Sequence, residues 1–213
     1  MNGKIKNNHK TNNFNEGYIK FDCNFSKINC IGKNDIIELN HYRQKLYQLG
    51  MIGKDSGNIS FGNLSQRINS RQFIITGTNT GGIKNLKCEH YSEIIDWNID
   101  NNSVLCEGLI KASSESLSHA AIYEILPEIN SVIHIHNKIF WNKFVGKLPT
   151  TKFSAAYGTV ELAKEIQLLI KNSLAQKEKI IIMEGHVDGI ILFGKTFNDA
   201  FNRLMRKVKD NIR

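Results

Sequence analysis

Two histidines in the stretch Ser131–Asn137 have the residue type and spacing of a metal-binding pair. The stretch reads Ser-Val-Ile-His-Ile-His-Asn and has the β-branched content of a strand. Because side chains alternate faces along a strand, His134 and His136 project to one side, while Ile133 and Ile135 project to the other and suit a core. Two imidazoles about 7 Å apart on one strand face can converge on a divalent ion. A lone His-x-His pair also fits ordinary half-buried, hydrogen-bonded histidines.

A third histidine, His186, lies in the polar segment Glu184–Gly189 between two apolar runs that predict strands. We predict a tight turn here, at the end of a sheet. A polar turn in that position could bring a third imidazole to the pair. Val187 and Asp188 stand between His186 and Gly189, so this turn is wider than one in which glycine follows the histidine directly.

A carboxylate and two hydroxyls stand together at Ser113, Ser114 and Glu115. The apolar spacing that follows predicts a helix, with Ser113 or Ser114 as its N-cap. A helix N-terminus offers unpaired N–H groups and a positive dipole end, which together favour phosphate. Glu115 in the first turn could act as a general acid/base, or it could simply complement the helix dipole.

Two loops rich in glycine and amides could contact an anion. The segment from 56 to 65 holds two similar copies, Gly57-Asn58-Ile59-Ser60 and Gly62-Asn63-Leu64-Ser65, and the predicted strand Gln72–Thr76 runs into a loop that contains Thr78 and Gly81. Glycine allows close approach of a ligand, while asparagine and hydroxyls supply neutral donors. The same residues would also suit plain hairpin turns.

The composition is that of one globular domain. The chain has 213 residues, of which 41% are hydrophobic and 23% charged, and we predict a flexible tail over 1–15 and a single domain over 16–213.

No apolar run is long enough for a membrane span or a signal peptide, and the four cysteines form no Cys-x-x-Cys pair, so we expect a cytoplasmic protein with no membrane partner. The net charge of +8 fits a lysine-rich surface or an anionic small molecule; without a nucleic-acid motif, we expect no nucleic-acid partner.

In their order along the chain, these residues resemble the class II aldolase/adducin family, whose members include metal-dependent sugar-phosphate aldolases, a pentulose-phosphate 4-epimerase and a methylthioribulose-phosphate dehydratase. The resemblance extends from Ile19 to about Phe201. The motifs that carry it are Gly62-Asn63-Leu64-Ser65-Gln66-Arg67, Ile75-Thr76-Gly77-Thr78-Asn79-Thr80-Gly81, Ser113-Ser114-Glu115, His134-Ile135-His136, and His186 ahead of a glycine.

The resemblance implies a fold, a cofactor and residue roles. It implies one three-layer α/β/α domain with a mostly antiparallel central sheet, and a homo-oligomer that in relatives is commonly a tetramer. His134, His136 and His186 match the ligands of one divalent metal ion, usually Zn²⁺, and Glu115 matches the catalytic acid/base. The residues that match the phosphate binders are Asn63, Thr78, Gly81, Ser113 and Ser114.

The implied activity is that of a metal-dependent lyase acting on a small phosphorylated ketose or hydroxy-ketone through a metal-stabilised enediolate. One departure bears on it: the segment from His136 to Tyr157 is short and offers no clear equivalent of the tyrosine that donates a proton in the aldolases, and Tyr157 aligns better with a structural role. An epimerase or dehydratase on the same scaffold is therefore an alternative. A non-catalytic, adducin-like interaction module is another, although it predicts eroded ligands.

Overall fold

The structure, a computed structural model, describes residues 18–172 and 174–209. The predicted tail over 1–15 lies outside the described residues. Within them, every helix is too short or too polar to cross a membrane.

A sheet of eight strands forms the middle layer, and the expected mostly antiparallel arrangement is confirmed. The strands of the sheet are β1 (Asp22–Lys27), β4 (Asn63–Arg67), β5 (Phe73–Thr76), β6 (Tyr91–Asn98), β7 (Ser103–Gly108), β8 (Ser131–His136), β9 (Ile180–Ile182) and β10 (Gly189–Gly194). A separate hairpin consists of β2 (Gly53–Lys54) and β3 (Ser60–Phe61). The spatial order of the sheet is β1-β7-β6-β5-β4-β8-β10-β9; β1 runs parallel to β7, and the other neighbouring pairs described are antiparallel.

Helices cover both faces of the sheet, which confirms the three-layer α/β/α architecture. The helices are α1 (Ile37–Gln48), α2 (Ser116–Ile125), α3 (Lys138–Phe144), α4 (Val160–Asn172), α5 (Ala175–Glu178) and α6 (Phe197–Lys209). On one face of the sheet, α2 and α4 bury their apolar stripes against alternate residues of the strands, such as Ile191 and Phe193. On the other face, α1, α3 and α6 pack against the intervening residues, such as Ile190 and Leu192.

The strand β8 is central to the sheet and determines where the histidines lie. It pairs with β4 on one side and with β10 on the other, so that Asn63 and Ile191 lie opposite His134. Ile133 and Ile135 are buried in the core beneath α1 and α6, as expected from strand alternation. Val132 is buried against the opposite helical layer, so both faces of β8 are covered and His134 lies deep in the protein.

Candidate active site

The three histidines converge at one end of the sheet. Nε2 of His186 lies 3.2 Å from Nε2 of His134 and 3.0 Å from Nε2 of His136. One nitrogen from each ring lies within 4.8 Å of the others. His134 and His186 are buried and His136 is half-buried, so the three nitrogens face an interior site that is more open on the side of His136.

Strand pairing and the turn before β10 produce this convergence. β8 pairs with β10 so that His136 lies opposite Gly189, and the segment 184–188 turns back at the end of that pair. The turn is closed by hydrogen bonds from Gly189 N–H to the His186 carbonyl (2.9 Å) and from His186 N–H to the Met183 carbonyl (3.3 Å). Asp188 adopts a left-handed conformation with φ of 66°. The wider turn therefore still directs His186 toward His134 and His136.

Gly189 lies where a side chain would enter the histidine cluster. A Cβ atom there would lie 2.6 Å from Cδ2 of His186, 2.8 Å from the His186 carbonyl oxygen and 3.2 Å from Cε1 of His134. These separations are below normal van der Waals contact. Glycine is therefore required for the two imidazoles to approach each other.

Burial disfavours the protonated form of His134 and of His186. The pKa of His134 lies well below its usual value, first because of burial and then because of His136 and His186. The pKa of His186 is also well below its usual value, with burial again as the main cause, followed by His136 and the ammonium of Lys20. A neutral imidazole carries the lone pair that a metal ion needs.

The spacing of the nitrogens fits one tetrahedral ion. Two imidazole nitrogens bound to zinc at about 2.0–2.1 Å lie about 3.3 Å apart in tetrahedral geometry. The Nε2 atom of His186 lies 3.0 Å from that of His136 and 3.2 Å from that of His134, which is close to this value. The three histidines could therefore hold a divalent metal ion and leave a fourth position for substrate or water.

Glu115 lies beside this cluster, at the start of α2. Its Oε1 is 3.9 Å from Nε2 of His186, its Oε2 accepts a hydrogen bond from the Ser118 hydroxyl (3.1 Å), and the residue is buried. The Ser118 bond fixes one carboxylate oxygen and leaves the other directed toward the histidines. This geometry places a proton-carrying group within reach of a ligand bound there.

The start of α2 differs from the sequence expectation. We expected Ser113 or Ser114 to be the N-cap, but the helix begins at Ser116 and Glu115 occupies the N-cap position. The Ser113 hydroxyl instead accepts a long hydrogen bond (3.3 Å) from the Glu115 N–H, and its carbonyl accepts one (2.7 Å) from the Ser116 hydroxyl. The local turn formed by these bonds places the helix start one or two residues later than expected and directs Glu115 inward.

A polar pocket adjoins Glu115 and His134 and contains all five residues expected to bind phosphate. Asn63 lies on β4 opposite His134, and its side-chain oxygen is buried without a hydrogen-bond partner among the described residues. Gly81 lies where a Cβ atom would come within 2.5 Å of the Gly53 carbonyl oxygen. The pocket is lined by Ser60, Phe61, Gly62, Asn63, Gly77, Thr78, Asn79, Thr80, Gly81, Ser113, Ser114, Glu115 and His134.

The two Gly-Asn copies have different places in the structure. Gly62-Asn63 leads into β4 beside the histidines, and Gly62 has a left-handed φ of 78° that places Asn63 there. Asn58 instead lies in the turn of the β2–β3 hairpin with φ of 63°, where its side chain accepts a hydrogen bond from Lys54 (3.0 Å). Asn58 therefore belongs to a plain turn, whereas Gly62 and Asn63 line the pocket.

Arg43 supports this pocket and was missed by sequence reasoning. It lies on α1, is almost fully buried, and donates to the carbonyl oxygens of Lys84 (2.9 Å), Thr80 (3.1 Å) and Gly81 (2.8 Å). The bonds fix the loop that contributes Thr78 and Gly81. The signal was present, because Arg43 falls among the apolar positions Leu39 and Leu46 of the helix.

His119 is buried behind the site rather than in it. Its Nδ1 lies 2.7 Å from the Ser65 hydroxyl, which in turn lies 2.8 Å from the Tyr123 hydroxyl. Burial alone lowers the pKa of His119 to about 3. The imidazole is therefore neutral at physiological pH and anchors α2 to β4.

Comparison with known proteins identifies the family. The profile of the class II aldolase and adducin N-terminal domain matches residues 37–206. The chain belongs to this family. No curated protein sequence matches the chain significantly.

Solved structures share the fold at low sequence identity. An L-fuculose 1-phosphate aldolase superimposes with a TM-score of 0.63 at 21% identity, over 85% of this chain and 84% of its own. A sugar-phosphate aldolase from Thermotoga maritima gives 0.62 at 16% identity, over 83% and 91%. An L-fuculose 1-phosphate aldolase from Glaciozyma antarctica gives 0.56 at 19% identity, over 82% and 70%.

Proposed function

We propose that the protein is a metal-dependent lyase of the aldolase type that cleaves a small phosphorylated ketose or hydroxy-ketone. The observation that carries the proposal is the convergence of His134, His136 and His186 beside the Glu115 carboxylate, at the edge of a pocket of neutral hydrogen-bonding groups. Family membership supports an aldolase-type enzyme. The retained ligands and carboxylate argue against an interaction module without catalytic residues.

The three histidines would hold one divalent ion, and zinc suits three neutral imidazoles in this spacing. When bound, such an ion supplies Lewis-acid stabilisation of negative charge on a carbonyl oxygen. The burial of His134 and His186 excludes water from two of the three ligands. It also strengthens electrostatic interactions within the site.

Glu115 would move the proton of the reaction. In carbon–carbon cleavage of a β-hydroxy ketone, the hydroxyl on one carbon of the broken bond gives up its proton and becomes a carbonyl, while the electron pair stays on the carbon next to the original carbonyl, which must take up a proton. Oε1 of Glu115 faces the histidines, while Oε2 is held by Ser118, so the carboxyl group can deliver a proton from a fixed position.

The pocket beside Glu115 would bind the phosphate. The amide of Asn63, the hydroxyls of Thr78, Ser113 and Ser114, and the backbone at Gly81 surround it. These groups donate hydrogen bonds without bringing formal charge, and α2 directs its N-terminus to the same place. A phosphate held there fixes the distance between the reacting carbons and Glu115.

We also propose that the protein is a cytoplasmic homo-oligomer. Apolar side chains that are largely exposed surround the histidine end of the sheet, namely Ile139 (80%), Phe153 (73%) and Val187 (62%). Exposed apolar groups of this kind mark interaction surfaces. Light scattering of the wild-type protein and of Phe153→Asp tests this: a shift of the variant to a smaller species supports it, and a monomeric wild type contradicts it.

The test of the function is product analysis of the zinc-loaded protein with a panel of phosphorylated ketoses. A lyase releases two carbon fragments, whereas an epimerase or dehydratase releases one product of unchanged carbon number. We expect Glu115→Gln to lower kcat about 10²- to 10⁴-fold while zinc and phosphate binding are retained. Glu161→Gln, on the exposed face of α4, serves as the matched control. Full turnover by Glu115→Gln would refute the assigned role.

A further inference from the structure

We propose that Lys20 is a substrate-binding residue of the active site, whose ammonium group supplies a positive charge to the bound phosphorylated substrate. This inference rests on the proposed function. Lys20 lies ahead of the stretch 37–206 that the family profile matches. The lining of the pocket, as far as the structure describes it, includes neither lysine nor arginine.

Lys20 is one aromatic ring away from the histidine cluster. Its Nζ donates a hydrogen bond to the Tyr157 carbonyl oxygen (3.0 Å) and lies 3.7 Å from the centre of the Tyr157 ring. That ring packs on His186 with a centroid separation of 5.0 Å. Tyr157 therefore holds the ammonium beside the candidate metal ligand through a hydrogen bond and a cation–π contact.

The lysine also lies close to Glu115 and to the phosphate pocket. Burial lowers the pKa of Lys20, and the nearby carboxylate of Glu115 opposes that shift. A Cβ atom built at Gly158 would lie 3.1 Å from the Ser114 carbonyl oxygen and 3.8 Å from Cδ of Lys20. The stem of the lysine and a residue of the phosphate pocket thus flank the same glycine.

The backbone of Lys20 is fixed by the edge of the sheet. The Asn102 side chain donates to the Lys20 carbonyl oxygen (3.0 Å), and the Asp22 N–H donates to the Asn102 carbonyl oxygen (2.8 Å). From Asp22 onward, β1 pairs with β7. The ammonium is therefore presented from an anchored segment, so less conformational entropy is lost when it binds a ligand.

The charges of the site explain why a cation is useful there. A phosphorylated substrate brings up to two negative charges next to the carboxylate of Glu115; a divalent ion at the histidines would offset two of these three charges, and the neutral pocket groups offset none. An ammonium in a partly buried position would stabilise that arrangement more than one in bulk water. Lys20 would also attract anionic substrates to the site as they approach.

Dihydroxyacetone phosphate, the simplest phosphorylated hydroxy-ketone, is the probe. Its binding to the zinc-loaded protein is measured by calorimetry for the wild type, Lys20→Met, Lys20→Arg and Lys27→Met, an exposed lysine on β1. We expect Lys20→Met to weaken binding about tenfold to hundredfold, because a hydrogen bond to a charged group is lost. Lys20→Arg should stay within about threefold of the wild type because it keeps the positive charge, and Lys27→Met should not differ.

Zinc affinity separates this role from a structural one. If Lys20 acts through its charge, Lys20→Met removes a positive charge beside a cation site, and its zinc affinity is unchanged or higher than that of the wild type. If Lys20 instead supports the positions of Tyr157 and His186, the zinc affinity of Lys20→Met is lower. Weaker probe binding together with lower zinc affinity would therefore overturn the proposal, as would unchanged probe binding. If Lys20→Met does not fold, Lys20→Gln is compared in the same way. A wild-type protein that binds zinc but not the probe would refute the proposed function itself.

Discussion

Gly189 offers a sharp test of the histidine cluster, because it is not itself a ligand. In Gly189→Ala the new methyl group would lie 2.6 Å from Cδ2 of His186, 2.8 Å from its carbonyl oxygen and 3.2 Å from Cε1 of His134. Ordinary carbon–carbon contact is about 3.5–4.0 Å, so the His186 ring must move by about 1 Å. Metal–ligand distances tolerate only about 0.2 Å, so that movement breaks a bond to the ion.

We expect Gly189→Ala to lower zinc affinity at least tenfold to hundredfold, a loss typical of disturbed ligand orientation. The assay is competition for zinc with a chromophoric chelator, and circular dichroism checks that the fold is retained. Gly57→Ala, in the exposed β2–β3 hairpin, is the matched control, because the atom nearest to its Cβ would be the Asp55 Oδ1 atom at 3.3 Å. Wild-type zinc affinity in folded Gly189→Ala would refute the assignment of His186 as a ligand.

Three further predictions concern the surroundings of the site. Gly81→Ala should weaken inorganic phosphate binding about tenfold or more by calorimetry, because its Cβ would lie 2.5 Å from the Gly53 and 2.7 Å from the Phe61 carbonyl oxygen; unchanged binding would exclude this loop from the anion site. Arg43→Met should lower the free energy of unfolding in urea by about 3 kcal/mol, because it removes three charge-assisted hydrogen bonds to carbonyl oxygens, and a change below about 1 kcal/mol would contradict this. The folded pKa of His119 is about 3 against 6.5 when unfolded, so the unfolded state binds more protons in that range. The metal-free protein should therefore lose stability as pH falls from 6.5 toward 3, by about 1.4 kcal/mol per pH unit from this residue, and urea titrations of His119→Gln should show a slope reduced by that amount.

The alternation of side chains along β8 was enough to predict on which face of the sheet each of its side chains lies. The β-branched content predicted the strand, and period-2 alternation predicted that His134 and His136 share one face while the isoleucines enter the core. The three-layer fold followed from the family resemblance, which the profile match confirms. The ligand, phosphate and acid/base roles remain predictions, although the structure places those residues together.

Details that depend on tertiary contacts were not accessible from the sequence. The start of α2 moved to Ser116 because hydrogen bonds within the preceding turn compete with helix formation. The Lys20 side chain reaches Tyr157 across 137 residues of chain, which no local pattern reports. Arg43 looked like a surface residue by type, and only its position among apolar residues indicated burial.

The central claim is that His134, His136 and His186 hold one metal ion together. X-ray absorption of the zinc-loaded protein tests it most directly, because nitrogen ligands lie at about 2.0–2.1 Å and cysteine sulfur at about 2.3 Å. We predict one zinc per chain with at least three nitrogen or oxygen ligands at the shorter distance, and loss of stoichiometric binding in His136→Ala. Zinc bound through sulfur, or bound equally well by His136→Ala, would contradict the account.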